Sequence, residues 1–111
     1  MIATKGTFAA GFFQQRLVAN GYRCIECPAA DFDRLVLPAI DCVKHNDLDT
    51  ARDLLETAVT NLTATGAAGV ILACTELPIV IDRLPPPTSA LCVDATRALA
   101  TGCVAWWQNR A

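Results

Sequence analysis

The sequence has few aromatic residues, a single histidine and no large excess of either charge. Aromatic residues make up 6% of the 111 residues, and nine basic residues stand against eleven acidic ones, for a net charge of −2. A slightly acidic chain without a basic patch has no means of holding nucleic acid or an anionic membrane surface. We therefore expect neither as a partner.

Long apolar runs and targeting signals are also missing. The longest uncharged segments are too short and too interrupted to span a bilayer, and the start of the chain leads into a mixed amphipathic stretch instead of a signal peptide. We expect a cytoplasmic protein with no membrane association. In that reducing compartment the six cysteines are expected to be free thiols.

The composition that is present favours an α/β fold. Hydrophobic residues make up 53% of the chain, and this length supports one hydrophobic core, so residues 1–111 are expected to form one domain. The alternation of apolar runs with helical periodicity predicts a four-stranded, mainly parallel sheet flanked by helices on both faces. The predicted strands are residues 1–4, 23–27, 70–73 and 91–93. The predicted helices are residues 8–20, 31–44 with an interruption at Pro38, 47–65, 77–81 and 96–107.

The segment that most strongly indicates chemistry is an apolar run that ends abruptly at Cys74, before Thr75 and Glu76. Such a run is typical of a parallel strand covered on both faces, and the polar pair suits the first turn of a helix. Open α/β sheets bind ligands beyond the carboxyl ends of their strands, and nearby helix N–H groups favour a thiolate. We interpret Cys74 as a catalytic thiol; the alternative is a buried cysteine that only packs.

A second polar cluster follows the first predicted strand. Thr4, Lys5 and Thr7 place two hydroxyls and an ammonium at a strand end and a helix start, an arrangement that suits a small carboxylate. A helix cap with a tight turn explains the same residues without a ligand.

The remaining thiols and the histidine are interpreted as structural. Cys24 and Cys27 form a Cys-x-x-Cys pair with no second pair elsewhere, and a redox pair is expected at a helix start. His45 falls at a helix end, where a positive charge is favourable. We expect no metal site.

Residues 69–78 resemble the signature around the second catalytic cysteine of the aspartate/glutamate racemase superfamily, which also contains hydantoin racemases, maleate isomerases and arylmalonate decarboxylases. Residues 2–7, 48–66 and 92–96 are similar to other family segments in order and spacing. The resemblance covers nearly the whole chain, but only the second half of a two-domain, pseudo-symmetric enzyme. It implies that residues 1–111 are equivalent to that second domain, with the first domain absent.

The resemblance implies a cofactor-independent amino-acid racemase, in which one cysteine thiolate removes the α-proton and a second thiol returns a proton on the opposite face. It implies that Cys74 is one of these two groups. Glu76, where glutamate racemases typically have histidine, favours an aspartate racemase-like substrate. The substrate-binding residues implied in this way are Thr4, Lys5, Thr7, Thr75 and Glu76.

Three functions stay open at this point. The first is a racemase half-site, completed either by a separate first-half partner or by a second copy in a homodimer. The second is isomerisation or decarboxylation of a small dicarboxylate by the same cysteine. The third is a non-catalytic, truncated remnant or interaction domain that uses Trp106, Trp107 and the last helix as a contact surface. The sequence leaves the substrate, the oligomeric state and the activity of the lone chain open.

Overall fold

A parallel β-sheet lies at the centre of the computed structural model, which describes residues 1–110. Its strands, in the spatial order β1-β2-β3, are β1 (Ile2–Ala3), β2 (Val70–Ala73) and β3 (Cys92–Asp94). Both pairs are parallel, so the carboxyl ends of all three strands meet at one edge of the sheet. The α/β class with a parallel sheet is confirmed.

Seven α-helices accompany the sheet in residues 1–110. They are α1 (Lys5–Ala10), α2 (Phe12–Ala19), α3 (Ala29–Asp31), α4 (Leu37–Lys44), α5 (Leu48–Ala64), α6 (Pro86–Ser89) and α7 (Ala95–Gln108). A π-helical segment, Phe32–Val36, joins α3 to α4, and a 3-10 helix, Leu77–Arg83, follows β2.

The main core lies between one face of the sheet and helices α4 and α5. Ile2, Val70 and Leu72 point to this face and have no exposed surface. They share one cluster with Leu55 and Leu62 of α5, each 1% exposed. Because successive strand residues alternate between the two faces, this cluster takes every second side chain of β2.

The opposite face of the sheet has a much thinner cover. Its buried residues are Met1, Ala3 and Ala73, with Phe8 and Phe13 packed against them. No residue of α1, α2 or α7 is fully buried. The two faces of the sheet are therefore very unequal in the apolar surface that they remove from water.

Helix α7 begins beside the carboxyl ends of β2 and β3 and is exposed along most of its length. Leu99 is 69% exposed, Trp106 60% and Trp107 71%. Within residues 1–110, no helix is both long and apolar enough to cross a bilayer.

The fourth strand was a wrong prediction: the sheet in residues 1–110 has three strands. The segment 23–27 does run beside β1, because the Met1 amino group donates to the carbonyl of Ile25 and the Cys27 N–H donates to that of Met1 at 3.0 Å. Since β1 is only two residues long, those bonds do not extend into a ladder.

The first predicted helix is divided in two. Gly11 has a φ of 72° and serves as the C-cap of α1 and the N-cap of α2. This left-handed conformation is easily adopted by glycine and ends a helix. The apolar spacing on either side of Gly11 survives the break, which is why periodicity alone indicated one helix.

Pro38 interrupts its helix less than expected. The Leu37 N–H bonds the Phe32 carbonyl, one residue further back than in an α-helix, and helical backbone continues to Lys44. Proline lacks an N–H and its ring clashes with the carbonyl four residues earlier. The wider π turn immediately before it opens the backbone at that place, as such turns do at helix irregularities.

We expect Leu72→Ala to lower the free energy of unfolding by about 2–5 kcal/mol, because it leaves a cavity at a fully buried position of the central strand. Urea denaturation measures the change. The control is Leu37→Ala, at a side chain that is 43% exposed. This substitution should lower the free energy of unfolding clearly less. Equal losses would contradict the placement of β2 at the centre of the core.

Candidate active site

A single open cleft collects the polar residues at the carboxyl edge of the sheet. Its volume is about 370 Å³, within the usual range for small-molecule sites. Three parts of the chain line it: the start of α1 with α2, the end of β2, and the start of α7. The lining residues are Thr4, Thr7, Phe13, Ala73, Cys74, Thr75, Glu76, Ala95, Thr96 and Leu99.

The register of the sheet brings Thr4 and Cys74 together. Ala3 of β1 lies opposite Ala73 of β2, so the next residue of each strand leaves the sheet at the same level. Adjacent strands are about 4.8 Å apart. Thr4 and Cys74 are therefore neighbours across the floor of the cleft.

Two threonine hydroxyls form the wall on the β1 side. Thr4 is the N-cap of α1 and its Oγ1 accepts the Thr7 N–H at 3.4 Å. The two Oγ1 atoms are 3.0 Å apart and hydrogen-bonded. A paired hydroxyl dyad at a helix start supplies neutral donors, of the kind that can hold a carboxylate oxygen.

The residues after β2 form a tighter turn than expected. Thr75 is exposed, and the following 3-10 helix has Glu76 as its N-cap residue without a side-chain cap bond. Thr75 and Glu76 are therefore not the cap and first-turn carboxylate of an α-helix. Glu76 is half-buried and lines the cleft beside Cys74.

The thiol of Cys74 is held in its protonated form. Burial raises the pKa of Cys74 above its usual value, and the negative charges of Glu76 and Asp94 raise it further. Hydrogen bonds from the backbone of Leu77 and Glu76 lower the pKa, but they do not outweigh burial. The helix start does favour the thiolate, as expected, but a short 3-10 turn offers too few N–H groups to bring the pKa of Cys74 down to its usual value.

The third wall of the cleft contains residues that the sequence did not mark as substrate-binding. Asp94 lies just before this wall and outside the lining: it ends β3, and its Oδ1 accepts the Arg97 N–H at 3.1 Å, which caps α7. Phe13 of α2 and Leu99 of α7 provide the apolar lining. Their position depends on how two distant helices meet the sheet edge, and no local pattern signals that.

Lys5 points away from the cleft. Its Nζ lies 4.0 Å from an Asp33 carboxylate oxygen and 5.5 Å from the ring centre of Phe32. Lysine, arginine and histidine are absent from the cleft lining in residues 1–110. The cleft carries a carboxylate, hydroxyls and one thiol, so a cationic group on a ligand is better matched to it than an additional anion.

A metal centre has no support in the part of the chain that the structure describes. Residues 1–110 contain no group of three or more histidine, cysteine or acidic side chains close enough to hold an ion. Cys24 and Cys27 are free thiols.

The fold and the cleft together define an open parallel α/β domain with a half-buried cysteine at the carboxyl end of its central strand. The family model for Asp/Glu/Hydantoin racemase matches residues 1–103. This chain belongs to the Asp/Glu/hydantoin racemase family, whose racemase and isomerase chemistry is carried out on small molecules.

A curated relative supports the same assignment. The chain is 30% identical over 107 residues to a protein of Pectobacterium carotovorum subsp. carotovorum described as an uncharacterized protein in the pnlA 3′ region. The match covers 96% of this chain and 71% of that protein. The relative's description names no activity, so the match strengthens the family and adds nothing about the substrate.

We expect alkylation of Cys74 by iodoacetamide to titrate at a higher pH than that of a small exposed thiol such as N-acetylcysteine, because burial opposes ionisation. Glu76→Gln should move the midpoint down, since it removes one negative charge. Peptide mass spectrometry across a pH series gives both midpoints.

The matched control is Glu56→Gln on α5, outside the cleft, which should leave the Cys74 midpoint unchanged. Because the folded state disfavours the thiolate, this group makes stability fall as pH rises above the cysteine pKa of the unfolded chain, about 8.5. A Cys74 midpoint below that of the small thiol would contradict the assignment.

Proposed function

We propose that this chain provides one cysteine half of a cofactor-independent amino-acid racemase site. In this proposal, Cys74 exchanges a proton with the α-carbon of a bound amino acid, and aspartate is the first substrate to test. The single observation that carries the proposal is the position of Cys74: half-buried at the carboxyl end of the central strand, in a cleft of small-molecule size.

The chemistry requires a base that becomes active only when the substrate is bound. Burial, together with the charges of Glu76 and Asp94, raises the pKa of Cys74 and keeps its thiol protonated. A substrate ammonium beside these carboxylates offsets their negative charge, and this lowers the pKa of the thiol when proton removal is needed. The arrangement favours a ligand with an ammonium group near the thiol.

The other cleft residues have orienting roles in this proposal. In the Thr4–Thr7 pair one hydroxyl donates to the other, which donates to the substrate carboxylate, and the Thr75 N–H or hydroxyl contacts the second carboxylate oxygen. Glu76 accepts from the ammonium. Lys5 has a role only if its side chain leaves Asp33, because it lies outside the cleft lining.

Inversion at the α-carbon needs an acid on the face opposite to the base. Cys74 is the one thiol that lines the cleft in residues 1–110. The second proton donor therefore has to come from another polypeptide segment or a second copy. A site with Cys74 alone is expected to exchange the α-proton without efficient racemisation.

The alternative of isomerising or decarboxylating a small dicarboxylate receives less support. Such a substrate carries two negative charges and no ammonium, whereas the cleft wall carries Glu76 with Asp94 nearby. Without a basic lining residue, these charges repel it.

Deuterium exchange at the α-carbon tests the proposal. L-aspartate and D-aspartate are incubated with the chain in D₂O, and loss of the α-proton signal is followed by NMR. We expect exchange from one enantiomer if Cys74 works alone, and from both, with racemisation, if a second thiol completes the site.

Cys74→Ala should abolish the exchange, because the base is lost, while far-ultraviolet circular dichroism stays unchanged. Cys42→Ala is the matched control, since Cys42 lies on α4 outside the cleft, and it should retain the full rate. Exchange that persists in Cys74→Ala would overturn the role of this thiol.

A further inference from the structure

Glu76 is the one charged side chain among the residues of 1–110 that line the cleft. Basic residues do stand close to lining residues along the chain, but they lie elsewhere in the fold. Lys5, at the start of α1, has its Nζ 4.0 Å from an Asp33 carboxylate oxygen. Arg16 is exposed, one turn beyond Phe13 on α2, and is outside the lining.

Arg97 follows a lining residue directly and still lies outside the cleft. The three lining residues of α7 are Ala95, Thr96 and Leu99. At 3.6 residues per turn they fall within an arc of about 100° around the helix, and Arg97 falls about 100° beyond the edge of that arc. Within residues 1–110, the cleft therefore has no cation to pair with a negatively charged side chain of a ligand.

Two large apolar side chains, Phe13 and Leu99, line the cleft from different helices, and we call them the apolar pair. Phe13 is half-buried and packs against the cluster that contains Ala3 and Ala73, so the second face of the sheet holds it in place. Leu99 is 69% exposed, which leaves most of its surface free to contact a ligand. An apolar group that lies between α2 and α7 loses contact with water on both sides.

The polar lining residues account for the charged groups that every α-amino acid carries. In the proposed function, the Thr4–Thr7 hydroxyls and Thr75 hold the α-carboxylate, and Glu76 accepts from the α-ammonium. The apolar pair is then left for the side chain. A side-chain carboxylate at that place would meet apolar surface and the negative charge of Glu76, with no cation to offset its loss of water.

We propose that this site takes amino acids with apolar, uncharged side chains, and that Phe13 and Leu99 select them against aspartate. The proposal rests on the proposed function for the way in which the α-ammonium and the α-carboxylate are held. The selection itself concerns binding alone and requires no proton transfer. Aspartate, which the family resemblance favours, carries one carboxylate more than these lining residues can pair.

Amide chemical shifts of the isotopically labelled chain, followed by NMR during titration, measure binding without turnover. Leucine, asparagine and aspartate have side chains with the same number and branching of heavy atoms, so they differ in polarity and charge, and glycine removes the side chain. We expect leucine to bind at least tenfold more tightly than aspartate or glycine, and asparagine to fall between leucine and aspartate. Each comparison uses the tighter-binding enantiomer.

Leu99→Ala tests the apolar pair directly. It should raise the dissociation constant of leucine about fivefold, because one of the two apolar contacts is lost, and leave the constant of glycine unchanged. Val104→Ala is the matched control, since Val104 is also on α7, is 57% exposed and lies outside the lining. It should leave both constants unchanged. Far-ultraviolet circular dichroism checks that each variant is folded.

Cys74→Ala separates this proposal from the proposed function. This variant should bind leucine as well as the unmodified chain and exchange no α-proton. An unmodified chain that prefers leucine but exchanges no α-proton from it would support the selectivity and contradict the proposed chemistry. Aspartate or glycine binding as tightly as leucine, no leucine binding up to its solubility limit, or an unchanged leucine constant in Leu99→Ala would each overturn the selectivity.

Discussion

The parallel alignment of β1 and β2 at their carboxyl ends is the constraint on which the cleft depends. Ala3 opposite Ala73 fixes Thr4 beside Cys74. A slip of one residue would turn Ile2 and Leu72 out of the main core, because strand side chains alternate between faces. The burial of those two side chains therefore also holds the hydroxyl and the thiol together.

The electrostatics of the cleft follow from this position. The end of a buried strand removes Cys74 from water, and two carboxylates reach it from the following turn and from the neighbouring strand. The few N–H groups of a short 3-10 turn do not offset both effects. The result is a thiol that responds to the charge of whatever enters the cleft, which is a useful property for a group that must release a proton only to a bound ligand.

The unequal faces of the sheet leave the site open on one side. Helices α4 and α5 bury one face thoroughly, whereas α1, α2 and α7 leave the cleft side open. Both the reactive thiol and the largest exposed apolar side chains lie on that open side. A partner on this side would exclude water from the cleft, which strengthens every charge interaction inside it.

Features that depend on near neighbours along the chain can be predicted from the amino-acid order alone. The apolar run of β2, the long helix α5 capped by Asp47, and the placement of Cys74 at a strand end all follow from local periodicity and turn chemistry. Long-range packing sets the rest: residues 23–27 form no ladder, and Lys5 turns to Asp33. At Cys74, burial raises the pKa more than the backbone N–H groups lower it, and within residues 1–110 no residue of α7 is buried. Each of these depends on residues far apart in the chain, whose distances no local pattern contains.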